Sequence, residues 1–250
     1  MHKNKVMGKP LILKRDAAPP RATRERIITR SILLFNRNGL RDVAIERIAK
    51  DLKLSPGNVT YHFPRKQQLI VATLEVVKDG LRKALEQPTA VKSARDGSEY
   101  LLRLYSTLWE YRFFFNALTY VLTDPQLHRE YTEFRAWALK TIERDVTVLC
   151  DHGFFLQPTA PNNFALLSAN MWSLWLNWLR VHQVMSPSAD KPGNAALYDC
   201  AIQHWSLCQP WMRPDYAREL FDVFSELQDD AVPPKPAAGR KRKTGGASKP

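Results

Sequence analysis

The chain has 250 residues, 44% of them hydrophobic and 25% charged, and carries a formal net charge of +12. That apolar share excludes a wholly disordered chain, and no apolar run approaches the ~18 residues of a membrane span. The short apolar stretch from Leu11 to Leu13 does not make a secretory signal, and three cysteines (Cys150, Cys200, Cys208) fit a reducing compartment, so a cytoplasmic protein with no membrane partner is expected. The charge is lopsided. Residues 1–66 hold 16 Lys/Arg against 5 Asp/Glu, residues 67–231 hold 15 against 20, and residues 232–250 hold 6 against none. A basic end on an acidic body suggests a polyanion-binding segment, although basic termini also serve solubility alone.

Residues 1–20 lack periodicity and contain Pro10, Pro19 and Pro20, which reads as a flexible basic arm. A helical pattern begins near Arg21, with Thr23 as N-cap. Ile27, Ile28, Ser31, Ile32, Leu34 and Phe35 share one face, and Gly39 stands where a helix ends in the left-handed conformation. A short second helix is predicted over 44–52, with Ile45, Ile48, Ala49 and Leu52 inward. Ser55-Pro56 then combines a hydroxyl cap with a proline in the first helical position. In the third helix Val59 and Phe63 face inward until Pro64 stops it. A fourth helix runs from Lys66 through Leu69, Ile70, Thr73, Leu74, Val77, Leu81 and Leu85, bounded by Pro88. Beyond it, helices are predicted at 97–122, 127–151, 161–185, 194–209 and 213–228, with prolines and Gly153 in the gaps. No stretch alternates with period two, so no strands are expected. The last residues, 230–250, are Pro/Gly/Lys/Arg-rich and read as a disordered basic tail.

The span from Ala44 to Phe63 has the form of a helix-turn-helix. A major groove admits one α-helix, and a second helix must brace it. Ile45, Ile48, Ala49 and Val59 provide the bracing face. Pro56, Gly57, Asn58, Thr60, Tyr61 and His62 provide a groove face, with Lys66 adding charge near the same backbone. Gly57 lets the helix N-terminus approach phosphate, Asn58 suits a bidentate contact with adenine, and Tyr61 and His62 suit phosphate.

These residues resemble the TetR family of bacterial transcriptional regulators. The resemblance is carried by LSPGNVTYHFPRKQQLI at 54–70, preceded by IERIAKDL at 45–52 and LLFNRNGL at 33–40. Phe35, Gly39, Ile48, Ala49, Ser55, Gly57, Tyr61, His62, Phe63, Lys66 and Leu69 fall on the family pattern. Three positions depart from it. Ala44 stands where the family usually has a capping Thr, Thr60 where many members have Tyr, and Lys53 where the turn often has Gly. The resemblance implies an all-α protein: a three-helix DNA-binding head at 21–66 and a larger helical ligand-binding and dimerisation domain at 67–229. It implies a homodimer.

The body is rich in aromatics, and an aromatic-lined pocket is the expected effector site. Phe114, Leu118, Trp137, Thr141 and Trp175 are the candidates for its lining, with ordinary core packing as the rival reading. A hydrophobic or acyl-like effector follows from the aromatics. Trp172, Trp175 and Trp178 drift around their helix, so one face can pack within the chain while another meets a partner. Leu166, Asn170, Leu174, Asn177 and Trp205 are the candidates for the dimer contact. Cys200, His204 and Cys208 share a stripe, but packing beside Trp205 suits them better than a metal; no metal and no cofactor is expected. No HExxH, P-loop or GxSxG motif appears, so an enzyme is not expected. The leading reading is a ligand-responsive repressor that binds a palindromic operator in double-stranded DNA and is released by a hydrophobic small molecule. A small-molecule-binding protein and a nonspecific architectural DNA binder are the alternatives. For the latter, the basic arm and the run from Arg240 to Lys243 would supply affinity by counterion release.

Overall fold

A computed structural model describes residues 23–86, 91–185 and 192–231, with side chains as far as Glu226. The basic arm and nearly all of the tail predicted above lie outside the described residues. The described chain is built of α-helices: α1 Thr23–Asn38, α2 Ile45–Leu52, α3 Pro56–His62, α4 Lys66–Leu85, α5 Ala94–Glu110, α6 Arg112–Asn116, α7 Leu118–Val121, α8 Pro125–Asp151, α9 Phe164–Met185, α10 Asn194–Cys208 and α11 Pro214–Ala231. Among the described residues the sole β feature is an isolated bridge between Phe155 and Met212.

The head follows the sequence closely. Gly39 adopts φ 82° and closes α1, its N–H donating to the Phe35 carbonyl at 3.0 Å. Ser55 caps α3, its hydroxyl accepting from the Asn58 N–H at 3.2 Å. Ala44 precedes α2 with no side-chain cap, as its methyl dictates. Lys53 takes the left-handed turn between α2 and α3 at φ 57°, a conformation that favours glycine. Ile27, Phe35, Ile48, Val59, Phe63 and Leu69 fill the core between these helices. An Arg30–Asp51 ion pair joins α1 to α2 on the outside.

Two departures in the body have clear causes. Pro125 and Pro214 were expected to mark gaps; each instead opens a helix, where a missing N–H costs nothing. Asp124 caps α8 by accepting from the Leu127 N–H at 2.9 Å. The helix predicted over 97–122 is broken after Glu110 into α5, α6 and α7. At the break the Tyr111 backbone turns to φ −111°, ψ 20°, and a side chain from α1 occupies the opening, as described below.

One apolar core runs from head to body, and α4 belongs to both parts. Trp172, Trp175 and Trp178 are all buried. The drift of the three indoles therefore does not turn any of them outward, because α9 packs against α5, α6, α8 and α10.

Candidate nucleic-acid interface and effector cleft

Helix α3 is seven residues long, too short to be stable by propensity, and is held by its ends and its inner face. Val59 is fully buried and Phe63 nearly so, with the Arg24 guanidinium 5.2 Å from the Phe63 ring centroid. That anchoring turns the other side outward. Pro56, Gly57 and Asn58 are exposed, and Tyr61 is 83% exposed, its ring edge-on to His62 at 5.2 Å. A phenol this open on an apolar anchor is free to reach a groove. Thr60 and His62 are half-buried. The Thr60 hydroxyl donates back to the Pro56 and Gly57 carbonyls at 3.2 Å, which leaves it as an acceptor towards any further partner. Lys66, expected beside phosphate, donates from Nζ to the Arg41 carbonyl at 2.9 Å and ties the start of α4 to the loop after α1. Burial lowers its pKa, with Asp42 pulling the other way.

The head meets the body at the break after α5. Asn36 of α1, 9% exposed, donates from Nδ2 to the Glu110 carbonyl at 2.8 Å and accepts at Oδ1 from the Phe113 N–H at 3.0 Å. It thereby satisfies backbone groups that the interrupted helix frees. Phe35 packs on Phe113 beside it, with ring centroids 5.5 Å apart. A crevice of about 280 Å³ adjoins this joint, lined by Asn36, Arg41, Asn116, Thr119, Tyr120 and Gln183 among others. The Arg41 guanidinium lies 4.8 Å from the Tyr120 ring centroid.

Of the five expected effector contacts, Trp175 lines the cleft described below. Phe114 is sealed among Phe113, Phe115 and Tyr131. Trp137 stacks on Phe134 beneath Arg82. Leu118 and Thr141 are buried, and neither lines the joint crevice or the cleft described next. That cleft lies among α5, α8, α9, α10 and α11, with about 50 Å³ of free space. Its walls include Tyr100, Asp145, Phe155, Trp175, His204 and Tyr216. The Tyr100 hydroxyl donates to Asp145 Oδ2 at 3.0 Å, and Arg144 donates to Oδ1 at 3.1 and 3.3 Å. Burial pushes the Asp145 carboxyl up to about 6, against the pull of these donors. His204 accepts at Nδ1 from the Trp175 indole at 3.0 Å, and burial pushes its pKa down to about 4, so it is neutral.

His204 therefore packs on Trp175, not on Trp205 as the sequence suggested. Trp205, expected at a partner contact, faces α11 of its own chain: Nε1 donates to the Ala217 carbonyl at 2.8 Å and the ring meets Phe221 at 5.1 Å. Cys200, His204 and Cys208 are all buried on α10, and among the described residues no group of three His, Cys, Asp or Glu side chains is placed to hold a metal. Leu166, Asn170 and Asn177 lie exposed on α9, and Leu174 is half-buried. Ser173, Val181 and Val184 continue the same open stripe, Val184 being 78% exposed.

Asn36 and Asp145 were missed in the sequence. Both left a signal. Asn36 follows Ile32 by four residues on the buried face of α1, and Asp145 stands in the buried stripe of α8 that runs through Phe134, Ala138, Thr141 and Ile142. A polar side chain on an apolar stripe requires a partner, but the partner is supplied by a distant element that one sequence does not specify.

Among the described residues no helix is long and apolar enough to cross a membrane. Two family profiles match the chain. Residues 27–73 match "Bacterial regulatory proteins, tetR family" and residues 78–220 match "Bacterial transcriptional repressor" of the same group. A Bacillus subtilis (strain 168) protein, YttP, named for an HTH-type transcriptional regulator, is 26% identical over 127 residues; the match spans 51% of this chain and about half, 52%, of that protein. Among solved structures, a TetR-family transcriptional regulator from Marinobacter aquaeolei VT8 superposes with a TM-score of 0.72 at 28% identity, over 82% of this chain and 98% of that one. SmeT, the repressor of a Stenotrophomonas maltophilia multidrug efflux pump, shares the fold with a TM-score of 0.56 at 17% identity, over 78% and 92% of the two chains. A Saccharomonospora viridis protein crystallised with choline shares it with a TM-score of 0.59 at 18% identity, over 74% and 95%.

Proposed function

The chain belongs to the TetR family of bacterial transcriptional regulators, and from that premise we propose that it is a cytoplasmic, ligand-responsive repressor that grips a palindromic operator as a homodimer. The observation that carries this is α3 itself: a helix anchored by Val59 and Phe63 that leaves Gly57, Asn58 and Tyr61 open to a groove. One such helix reads few base pairs, and a two-fold pair reads two half-sites a helical turn apart. The open stripe on α9, from Leu166 through Asn170 and Asn177 to Val181, is the surface offered for pairing. His62 and Lys66 take supporting roles, Lys66 by holding the loop at Arg41 and Asp42 beside the duplex.

Release needs an effector whose affinity differs between two states of the protein. The cleft beside Trp175 is the proposed effector site. Helix α5 connects it to the head: Tyr100 lies in the cleft, and Glu110, ten residues on and about 15 Å along the axis, accepts from Asn36 of α1. Widening the cleft would shift α5 and with it the spacing of the two recognition helices. That other proteins of this fold include an efflux-pump repressor and a choline complex supports a small-molecule response.

The test is selection of bound sequences from a random DNA pool, followed by fluorescence anisotropy on the selected site. A palindrome, retained by a chain lacking 1–20 and 232–250, is expected. Tyr61→Ala and Asn58→Ala each weaken operator binding tenfold or more with an unchanged melting temperature. Equal affinity for all sequences, or binding that vanishes with the termini, would leave the nonspecific binder as the better reading.

A further inference from the structure

Resting on the effector reading above, we propose that the effector is an organic monocation, an ammonium head on an apolar body, paired with the Asp145 carboxylate in the cleft among α5, α8, α9, α10 and α11. Asp145 is 5% exposed and is the sole buried acid among the described residues. The cleft lining contains no Lys or Arg; its one formal charge is the Asp145 carboxylate, and the Arg144 and Arg103 guanidinium groups lie outside the lining, on Asp145 Oδ1 and over the Tyr100 ring. That chemistry argues against the acyl-like effector expected from the aromatics alone.

The carboxylate is only partly satisfied. An ionised carboxylate offers about four lone-pair sites. Tyr100 uses one on Oδ2, while Arg144 reaches Oδ1 from outside with a side chain that is 60% exposed and therefore screened. Oδ2, the oxygen bound to the cleft residue Tyr100, retains capacity for a further donor or cation. The same cleft is lined by Trp175, Phe155 and Tyr216, and aromatic rings attract a cation. Ile142, Leu149 and Leu220 supply apolar wall for the rest of the guest. His204 is neutral and tied to Trp175, so it does not repel a cation.

About 50 Å³ is far below the roughly 300–1,000 Å³ of drug-sized sites. The guest must therefore widen the cleft. A guest that fits only a widened state is one with the differential affinity that release requires.

The pH dependence follows from the groups around the carboxylate. Those facing Asp145 and the cleft are Tyr100 and Arg103 on α5, Arg144 on α8, His204 on α10 and Tyr216 on α11. Burial raises both tyrosines and holds His204 near 4, so none of these changes charge between pH 5 and 7.5. Asp145, near 6, does.

Isothermal titration of the full chain with phenylalkyl-trimethylammonium ions of one to six methylenes tests this, beside carboxylates of matched length. At least one cation is expected to bind, about tenfold tighter at pH 7.5 than at pH 5, with the carboxylates silent. Asp145→Asn should abolish binding while still melting cooperatively by circular dichroism and no lower than the parent, and Tyr100→Phe should retain it. Undiminished cation binding by Asp145→Asn overturns the inference. If a carboxylate binds and releases DNA, the cation falls while the effector reading stands. If no compound of either charge binds, both the cation and this cleft as effector site fall, with operator recognition still measurable on its own.

Discussion

Replacing Asn36 with Ala removes the side chain that joins head to body. Two hydrogen bonds are lost, at 2.8 and 3.0 Å, one to the Glu110 carbonyl and one from the buried Phe113 N–H. Two neutral hydrogen bonds contribute about 1 kcal/mol each, and an orphaned buried group costs about 1–3 kcal/mol. Asn36 also lines the crevice of about 280 Å³, so water can reach part of the space vacated. That moderates the cost, and about 2 kcal/mol of lost stability is expected. Urea unfolding followed by circular dichroism measures it. Asn36→Asp should be worse at neutral pH, because it keeps an acceptor for Phe113 but sets a charged oxygen against the Glu110 carbonyl. The functional signature is separate: operator affinity without effector should survive in Asn36→Ala, and its sensitivity to effector should fall. A loss of stability under about 0.5 kcal/mol, or unchanged effector sensitivity, would refute the view that this contact couples the two parts.

Other perturbations have defined outcomes. Lys53→Gly relieves a left-handed backbone that costs a side-chain-bearing residue about 1–2 kcal/mol, offset by the freedom glycine gains when unfolded; a net stabilisation of about 0.5–1 kcal/mol is expected, and a lower melting temperature would contradict it. Gly80→Ala on α4 would set a methyl into the buried Tyr111 ring. The overpacking of about 1–3 kcal/mol exceeds the helix-propensity gain of about 1, so the melting temperature should fall. Acid stability depends on two buried groups with opposite signs. His204 titrates near 4 when folded and near 6.5 when unfolded, so below pH 6.5 the unfolded chain takes up the extra proton and stability declines as pH falls towards 4. Asp145 titrates near 6 when folded and 3.8 when unfolded, so the folded chain holds the extra proton and its contribution is lost as pH rises from about 4 through 6. Each is of the order of 3 kcal/mol at full extent. Asp145→Asn should therefore melt higher than the parent at pH 7, with the difference shrinking towards pH 4; a pH-independent difference would refute the assignment.

The head was legible in the sequence because its determinants are local. A hydroxyl cap at Ser55, a proline behind it, a glycine at position 39 and apolar residues three and four apart each act within a turn or two of helix, and the fourth helix follows the same rules from Lys66 to Leu85. The outward face of α3 needed no more than the identity of Val59 and Phe63. The body was read as helical for the same reason, but its sites were not. The interruption after Glu110 exists because Asn36, 74 residues earlier, supplies the bonds that a broken helix lacks. Trp137 and Phe114 share the composition of pocket residues, yet Arg82 and Tyr131 cover them. Asp145 gains its character from Tyr100, 45 residues away, and from the apolar walls brought by α9 and α11. Helix ends and faces are set by neighbours along the chain, whereas burial, charge state and free space are set by what packs across from a residue, and that is decided only when distant helices meet.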